Sequence, residues 1–75
     1  MTWFYMSFCD PDLPKGTQFI GACIVEAPDF IMAIQTAHFR GINPGGEVMS
    51  WELQKAPPEE YQYRLMSREE LEAIE

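Results

Sequence analysis

Few residues in this sequence are of types that perform chemistry, and those few are scattered. His38 is the single histidine, and Cys9 and Cys23 are the two cysteines. Nucleophilic catalysis needs a nucleophile, a base and an orienting group within reach of one another. A pairing of His38 with either cysteine stays open, but no local motif supports it and a structural role for His38 is favoured. These residues also lack the spacing of a zinc site. We therefore expect no enzyme activity, no metal and no cofactor.

The carboxylates are numerous but do not suggest an acid–base pair or a cation site. Glu59–Glu60 and Glu69–Glu70 lie beside prolines or at a predicted helix start, which indicates surface charge. Asp10 and Asp12 share a loop, yet a hard cation normally takes about six oxygen ligands. Turn capping is the favoured role for these two aspartates.

The turn Asn43-Pro44-Gly45-Gly46 is the most suggestive feature. Successive glycine amides can form a concave anion site, and His38 and Arg40 precede this turn on a predicted helix. A phosphate or nucleotide bound there would need rings to stack on its base. The available rings are Trp3, Tyr5, Phe39 and Trp51. The simpler alternative is a type II turn at Pro44-Gly45, with Gly46 easing entry into a strand, and this alternative is favoured.

Length and charge limit the classes of partner. The chain has 75 residues, so we predict one small domain over residues 1–75. Its net charge is −7 and its five basic residues are scattered, so it has no basic face for duplex nucleic acid. An acidic surface suits a basic protein partner such as a nucleic-acid enzyme.

The compartment is predicted from the absence of targeting features. Residues 1–8 have no basic region typical of a signal peptide, and no apolar run approaches the roughly 20 residues that span a bilayer. We expect no membrane association and a cytoplasmic location, where thiols stay reduced. Cys9 and Cys23 are accordingly interpreted as small buried hydrophobes, with a hairpin disulfide as the disfavoured alternative.

The order of elements predicts an α+β fold. Strands are expected at residues 2–8, 17–26 and 47–53, and a helix is expected between the second and third. This β-β-α-β order makes a three-stranded antiparallel or mixed sheet packed on one helix. The first strand is apolar on both faces, which favours a central position. In the second strand, alternation places Phe19, Gly21, Cys23 and Val25 on one face and Ile20, Ala22 and Ile24 on the other. Gly21 and Ala22 leave room for a bulky neighbour or a bulge.

The helix is expected to begin at Pro28, with Asp29 in its first turn, and to end at Gly41. An apolar stripe should pack on the sheet: Phe30, Ile31, Ala33, Ile34 and Ala37. Met32 and Phe39 lie on a different flank without a partner inside the chain, which predicts an oligomer interface.

The last segment, residues 57–75, is predicted to be a proline-rich linker, a short arm or edge strand, and a terminal helix. Ser67 and Glu70 fit a capping box at the start of that helix. The sheet face opposite the long helix would then be bare and aromatic. Because such a sheet is not stable alone in water, we expect the chain to form a homo-oligomer.

Four stretches together resemble small uncharacterised proteins of bacteriophage and prophage genomes. They are Trp3–Phe8, Phe19–Cys23, Gly41–Val48 and Leu65–Leu71. The resemblance implies an accessory protein that counters host defence in the cytoplasm of a bacterial host. It carries no assigned chemistry.

Two functions follow as hypotheses. In the first, which leads, an oligomer sequesters an anionic signalling molecule, such as a cyclic nucleotide or another nucleotide-derived ligand. Its binding residues would be Trp3, Tyr5, His38, Arg40, Asn43, Gly45, Gly46 and Trp51. In the second, an acidic inhibitor docks on a host protein, namely a defence or nucleic-acid enzyme. The negative charge disfavours the first hypothesis because it repels phosphates at long range.

Overall fold

The computed structural model describes residues 1–74 and has the predicted β-β-α-β order. Its elements are β1 (Thr2–Cys9), β2 (Phe19–Ala27), α1 (Phe30–Phe39), β3 (Glu47–Leu53), a 3-10 turn (Glu59–Tyr61) and α2 (Arg68–Ile74). The strands form one antiparallel sheet in the order β2-β1-β3. The α+β class is confirmed, and the sheet is antiparallel rather than mixed. Glu75, predicted to end the terminal helix, lies outside the described residues.

The central position of β1 is confirmed. Its pairs with β2 run from Thr2 to Cys9, and its pairs with β3 run from Trp3 to Cys9. One face of the sheet packs against α1 and forms the core with it. The buried side chains there are Phe4, Met6, Phe8, Cys23, Val25, Ala27, Ala33 and Ala37. The strand alternation therefore turns Trp3, Tyr5 and Ser7 to the opposite face, called the second face below.

Helix α1 begins two residues later than the sequence predicts. Asp29 is the N-cap, and its side chain accepts a hydrogen bond of 2.8 Å from the Met32 amide. Asp29 therefore precedes the helix instead of lying in its first turn, because its carboxylate satisfies a free amide best from the cap position.

The predicted glycine stop at the end of α1 is confirmed. Gly41 has a φ of +71°, and its amide donates to the His38 carbonyl at 3.1 Å. The Ile42 amide donates to the Ala37 carbonyl at 3.0 Å. These two bonds form a Schellman motif, which needs a left-handed residue at the Gly41 position.

The predicted apolar stripe of α1 is wrong at Ile31, and Phe30 at the start of the stripe is also 37% exposed. Ala33 and Ala37 are fully buried and Ile34 packs beside them, but Ile31 is 67% exposed. At 3.6 residues per turn, Ile31 points about 120° away from Ala37. The two alanines set the buried face because small side chains let the helix approach the sheet closely. The larger residues of α1 are left at the margin or outside.

A bulge in β2 corrects the predicted faces of two residues. Phe8 pairs with Gly21 but Cys9 pairs with Phe19, so Ile20 is the extra residue. Ile20 packs against the core, whereas Phe19 lies beside Arg68 of α2. The simple alternation fails here because one inserted residue reverses the two faces.

The second face is not bare, contrary to the sequence expectation. Residues 57–67, called the arm, run along the free edge of β2 and partly cover this face. Ala22 and Met66 exchange backbone hydrogen bonds of 3.0 and 2.7 Å, and the Tyr63 amide donates to the Ile24 carbonyl at 2.9 Å. Met66 is fully buried. The bulky neighbour that Gly21 accommodates is Leu65, whose side chain a methyl group at Gly21 would contact.

The predicted capping box fixes the turn from the arm into α2. The Glu70 amide donates to Ser67 Oγ at 3.3 Å, and the Ser67 amide donates to Glu70 Oε1 at 3.4 Å. Glu70 also forms an ion pair with Arg64. Neither α1 nor α2, within residues 1–74, has the length and apolar character needed to cross a membrane.

Gly46 and Gly45 offer a matched test of the turn before β3. Both have left-handed φ values, +76° and +87°, but only Gly46 lies against another chain segment. A methyl group at Gly46 would overlap the Cys9 carbonyl, whereas space is open at Gly45. We expect Gly45→Ala to lower the free energy of unfolding by about 1 kcal/mol, from backbone strain alone. Gly46→Ala should cost at least about 2 kcal/mol more, measured by urea unfolding. Equal losses for the two variants would contradict this packing.

Candidate functional site

The residues predicted to bind a ligand lie at two separate places within one chain. His38, Arg40 and the turn Asn43–Gly46 follow one another at the end of α1. Tyr5 and Trp51 lie on the second face of the sheet, with ring centroids 5.7 Å apart. Trp3 is also on the second face. Trp3 and Arg40 both contact the Tyr63 ring, but Tyr5 and Trp51 lie on the sheet face opposite α1, so the predicted residues do not form one site in a single chain.

An amide of the glycine turn is already hydrogen-bonded within the turn. The Gly45 amide donates to Asn43 Oδ1 at 2.8 Å, so it already has a hydrogen-bond acceptor within the turn. Gly46 is fixed by its close approach to the Cys9 carbonyl. The turn also follows the C-terminal end of α1, where the helix dipole is negative. Each of these features disfavours an anion at this place.

His38 and Asn43 do share an open cleft at the end of α1. The cleft has a volume of about 430 Å³, and its lining residues are Ile34, Gln35, His38, Phe39 and Asn43. Arg40 is not among them. Its guanidinium carbon lies 4.0 Å from the centroid of the Tyr63 ring. The cleft therefore has an imidazole and an amide but lacks the predicted arginine.

Arg40 and Trp3 hold the arm in place. Tyr63 lies between them. The Tyr63 and Trp3 rings are arranged edge to face with centroids 5.7 Å apart, and the Arg40 guanidinium lies over the face of the Tyr63 ring. Tyr63 has a φ of +56°, unusual for a residue other than glycine. A cation–π contact of this kind is worth about 0.5–1 kcal/mol at an exposed site. Trp3 and Arg40, which the sequence predicted as ligand-binding residues, thus contact Tyr63 of the same chain.

The larger cavity on the second face is an apolar groove between the sheet and the arm, called the aromatic groove. Its volume is about 610 Å³, and its lining residues are Tyr5, Ile24, Leu53, Pro57, Pro58, Glu60, Tyr61, Met66 and Leu71. Trp51 extends this surface through its contact with Tyr5 and is 50% exposed. The sequence indicated Tyr5 and Trp51 but missed the arm residues. The available signal was the Pro57-Pro58 pair followed by Tyr61, a stiff segment that ends in a ring.

The aromatic groove has a negatively charged border. Glu60 lines it directly, and Glu59 is its exposed neighbour in the 3-10 turn. The nearest basic residue of the arm, Arg64, is paired with Glu70. Desolvation raises the pKa of Tyr5. Desolvation, together with the adjacent Glu60 carboxylate, raises the pKa of Tyr61. Both tyrosines therefore remain neutral hydrogen-bond donors well above neutral pH.

A second exposed apolar surface lies on the outward side of α1. It is called the helix surface and consists of Ile31, Met32, Gln35 and Phe39. Ile31 is 67% exposed, Met32 is 41% exposed and Phe39 is 85% exposed. The predicted interface residues Met32 and Phe39 are thus accessible, and Ile31 joins them.

The cysteines lie apart in the sheet and are both free thiols. Cys23 is buried opposite Met6, while Cys9 is half-buried opposite Phe19. Burial raises the pKa of the Cys23 thiol to about 11. The part of the chain that the structure describes has no group of three or more His, Cys, Asp or Glu side chains placed to hold a metal ion.

Comparison with protein-family models, with curated proteins and with solved structures finds no match to this chain. The aromatic groove and the helix surface are therefore interpreted from their own geometry. They face opposite directions, since α1 covers one side of the sheet and the arm covers the other. A contact at one surface leaves the other free.

We expect the free energy of unfolding to fall as the pH rises from 9 towards 11. The Cys23 thiol starts from an ordinary value of 9.0 and reaches about 11 in the folded chain. The unfolded thiol therefore loses its proton first, so its stabilising contribution is complete below pH 9 and is lost through pH 11. The full effect is on the order of 2 kcal/mol. Urea unfolding should show that Cys23→Ala removes this part of the pH dependence and that Cys9→Ala retains it. An unchanged slope in Cys23→Ala would contradict the assignment.

Proposed function

We propose that this chain is an acidic protein-binding module that holds an extended, basic segment of a partner protein in the aromatic groove. The observation that carries the proposal is the convergence of Tyr5 and Tyr61 with Pro57-Pro58 along one open apolar groove, which Trp51 extends through its contact with Tyr5. Grooves lined by aromatic rings bind proline-rich extended peptides, because such peptides lose little conformational entropy on binding.

The polar groups at the groove favour a peptide over a purely apolar ligand. The hydroxyls of Tyr5 and Tyr61 can donate hydrogen bonds to peptide carbonyls. Trp51 presents an indole that is half accessible and already oriented by its contact with Tyr5. Rigid rings of this kind supply contact area at low entropic cost and are frequent centres of binding energy.

The charge supports a basic partner. The chain carries −7 overall, and Glu59 and Glu60 lie beside the groove. Carboxylates at the border steer a cationic segment towards the rings and raise the association rate more than the affinity. Arginine is the preferred cation because its planar guanidinium both stacks on rings and pairs with carboxylates.

The biological setting follows from the resemblance to phage accessory proteins. We place this role in the cytoplasm of a bacterial host, where the partner would be a defence enzyme or a nucleic-acid enzyme. Such enzymes present basic segments to phosphates. By occupying that segment the chain would inhibit the enzyme without catalysing a reaction.

A peptide titration tests the binding mode. We expect a ten-residue peptide of alternating proline and arginine to change the tryptophan fluorescence of the chain and to bind with micromolar affinity. A matched peptide with glutamate in place of arginine should not bind at the same concentrations. Trp51→Ala should weaken binding of the arginine peptide at least about tenfold, measured calorimetrically. Phe39→Ala is the control, because Phe39 is also exposed but lies on α1. Equal affinity for both peptides, or no binding at millimolar concentration, would overturn the proposal.

A second candidate function is sequestration of a nucleotide-like signalling molecule. The observation that favours it is the shared cleft of His38, Phe39 and Asn43, in which an imidazole, a ring and an amide adjoin. A second copy of the chain would have to complete this site. It ranks second because Arg40 contacts Tyr63 and the Gly45 amide is already bonded.

Thermal unfolding separates the two candidates. If the cleft binds such a ligand, cyclic dinucleotides or cyclic ADP-ribose isomers at 1 mM should raise the Tm by several degrees, as expected for a ligand about 100-fold above its Kd (stabilisation of about 2.7 kcal/mol). His38→Ala should reduce that shift, and Trp51→Ala should leave it unchanged. No shift with any of these ligands would eliminate the second candidate and leave the first intact.

A further inference from the structure

Helix α1 is apolar on nearly all sides. Its sequence, Phe30–Phe39, contains no carboxylate and no lysine or arginine, and one side of it packs on the sheet. The opposite side is the helix surface, where Ile31, Met32 and Phe39 are exposed together. A helix that is apolar all round is normally covered on both sides. Single exposed apolar residues are ordinary, but three large ones on one helix indicate a contact surface.

The distribution of charge identifies the occupant. Two chains that each carry −7 repel one another, which disfavours contact through surfaces that present carboxylates. The helix surface has none along its whole length. The residues that flank the helix along the chain carry charges of opposite sign: Asp29 is the N-cap and Arg40 is the C-cap.

The pattern along the helix is self-complementary. Ile31, Gln35 and Phe39 are spaced four residues apart and form one row on the outward side. If two such helices lie antiparallel about a two-fold axis at Gln35, Ile31 of each meets Phe39 of the other. Asp29 of each then lies near Arg40 of the other, and the helix dipoles oppose one another. A parallel arrangement would instead place like ends together.

We propose that two copies of this chain associate through the helix surface, as an antiparallel pair of α1 helices whose two-fold axis passes beside Gln35. The contact is isologous, because the same patch serves both copies. It is also small, since α1 has only ten residues. The pair therefore belongs to the weak, reversible class of interfaces. The aromatic groove lies on the far side of each sheet, so pairing leaves both grooves open.

Cysteine cross-linking tests the geometry. Packed helix axes are 8–10 Å apart and Cα atoms lie about 2.3 Å from each axis, which leaves roughly 3.4–5.4 Å between two Cα atoms facing one another. A disulfide needs a Cα separation of about 4.4–6.8 Å. In a Cys9→Ser background, Gln35→Cys should therefore form a covalent dimer under mild oxidation. Ile31→Cys should cross-link on the order of tenfold more slowly, because its two copies would be about 12 Å apart along the axis.

Mixing two single variants gives the complementary result. Ile31→Cys and Phe39→Cys, combined in the same background, should form mixed dimers faster than either forms with itself. Rapid cross-linking of Ile31→Cys with itself would overturn the antiparallel arrangement. Absence of a cross-link for Gln35→Cys, in a chain shown to be folded by circular dichroism, would overturn the pairing.

Sedimentation velocity tests the association without cysteines. The chain should shift from 8.7 kDa towards twice that mass as its concentration rises to several hundred micromolar. Phe39→Glu should remain at the mass of one chain, because it places a carboxylate against Ile31 of the other copy. Met49→Glu is the matched control, since Met49 is 60% exposed but lies on β3. A mass of one chain throughout, or loss of the dimer in Met49→Glu alone, would overturn the proposal.

Discussion

The structure depends on β1, whose two edges and two faces all make contacts with other parts of the chain. Its two edges are hydrogen-bonded along almost their full length to β2 and β3. Its two faces are both apolar, so each needs a cover that excludes water. Helix α1 covers the face of Phe4, Met6 and Phe8, and the arm reaches the face of Trp3 and Tyr5. One cover comes from residues between β2 and β3, and the other comes from residues that follow β3.

The two covers differ, and this difference produces the two exposed surfaces. The helix packs closely through Ala33 and Ala37, which turns Ile31, Met32 and Phe39 away from the sheet. The arm packs less closely, because Pro57-Pro58 and Tyr61 are held above the sheet and leave a groove. Half of the carboxylates in the sequence belong to residues 57–75, while α1 has none. Charge therefore distinguishes the groove, which suits a cationic segment, from the helix surface, which suits a neutral partner.

Most of the fold was predictable because local rules determine it. Apolar residues on both faces predicted the central position of β1. Gly41 predicted the end of α1, and Ser67 with Glu70 predicted the start of α2. The errors share a physical origin in long-range packing. Ile31 was misplaced because the small size of Ala33 and Ala37 decides which side of the helix approaches the sheet. The faces of Phe19 and Ile20 were reversed by a bulge that only strand pairing reveals.

The candidate site was less predictable, since its parts meet only in three dimensions. Tyr5 and Trp51 were indicated by type, but Tyr61 and Leu71 join them through the path of the arm. Arg40 was expected beside the glycine turn and instead contacts Tyr63, because the arm passes close to the end of α1. Sequence spacing could identify the rings and the arginine, but not which of them would be neighbours.

The attachment of the arm gives the domain two levels of stability. Three backbone hydrogen bonds, Met66 and the Tyr63 ring join the arm to the rest, whereas the ladders of β1 do not involve it. Detaching the arm thus costs less free energy than unfolding the sheet, and its amides should exchange with solvent as one cooperative unit. The aromatic groove exists only while the arm is docked. Any ligand in the groove is consequently coupled to arm closure, and its measured affinity includes the equilibrium between the open and closed chain.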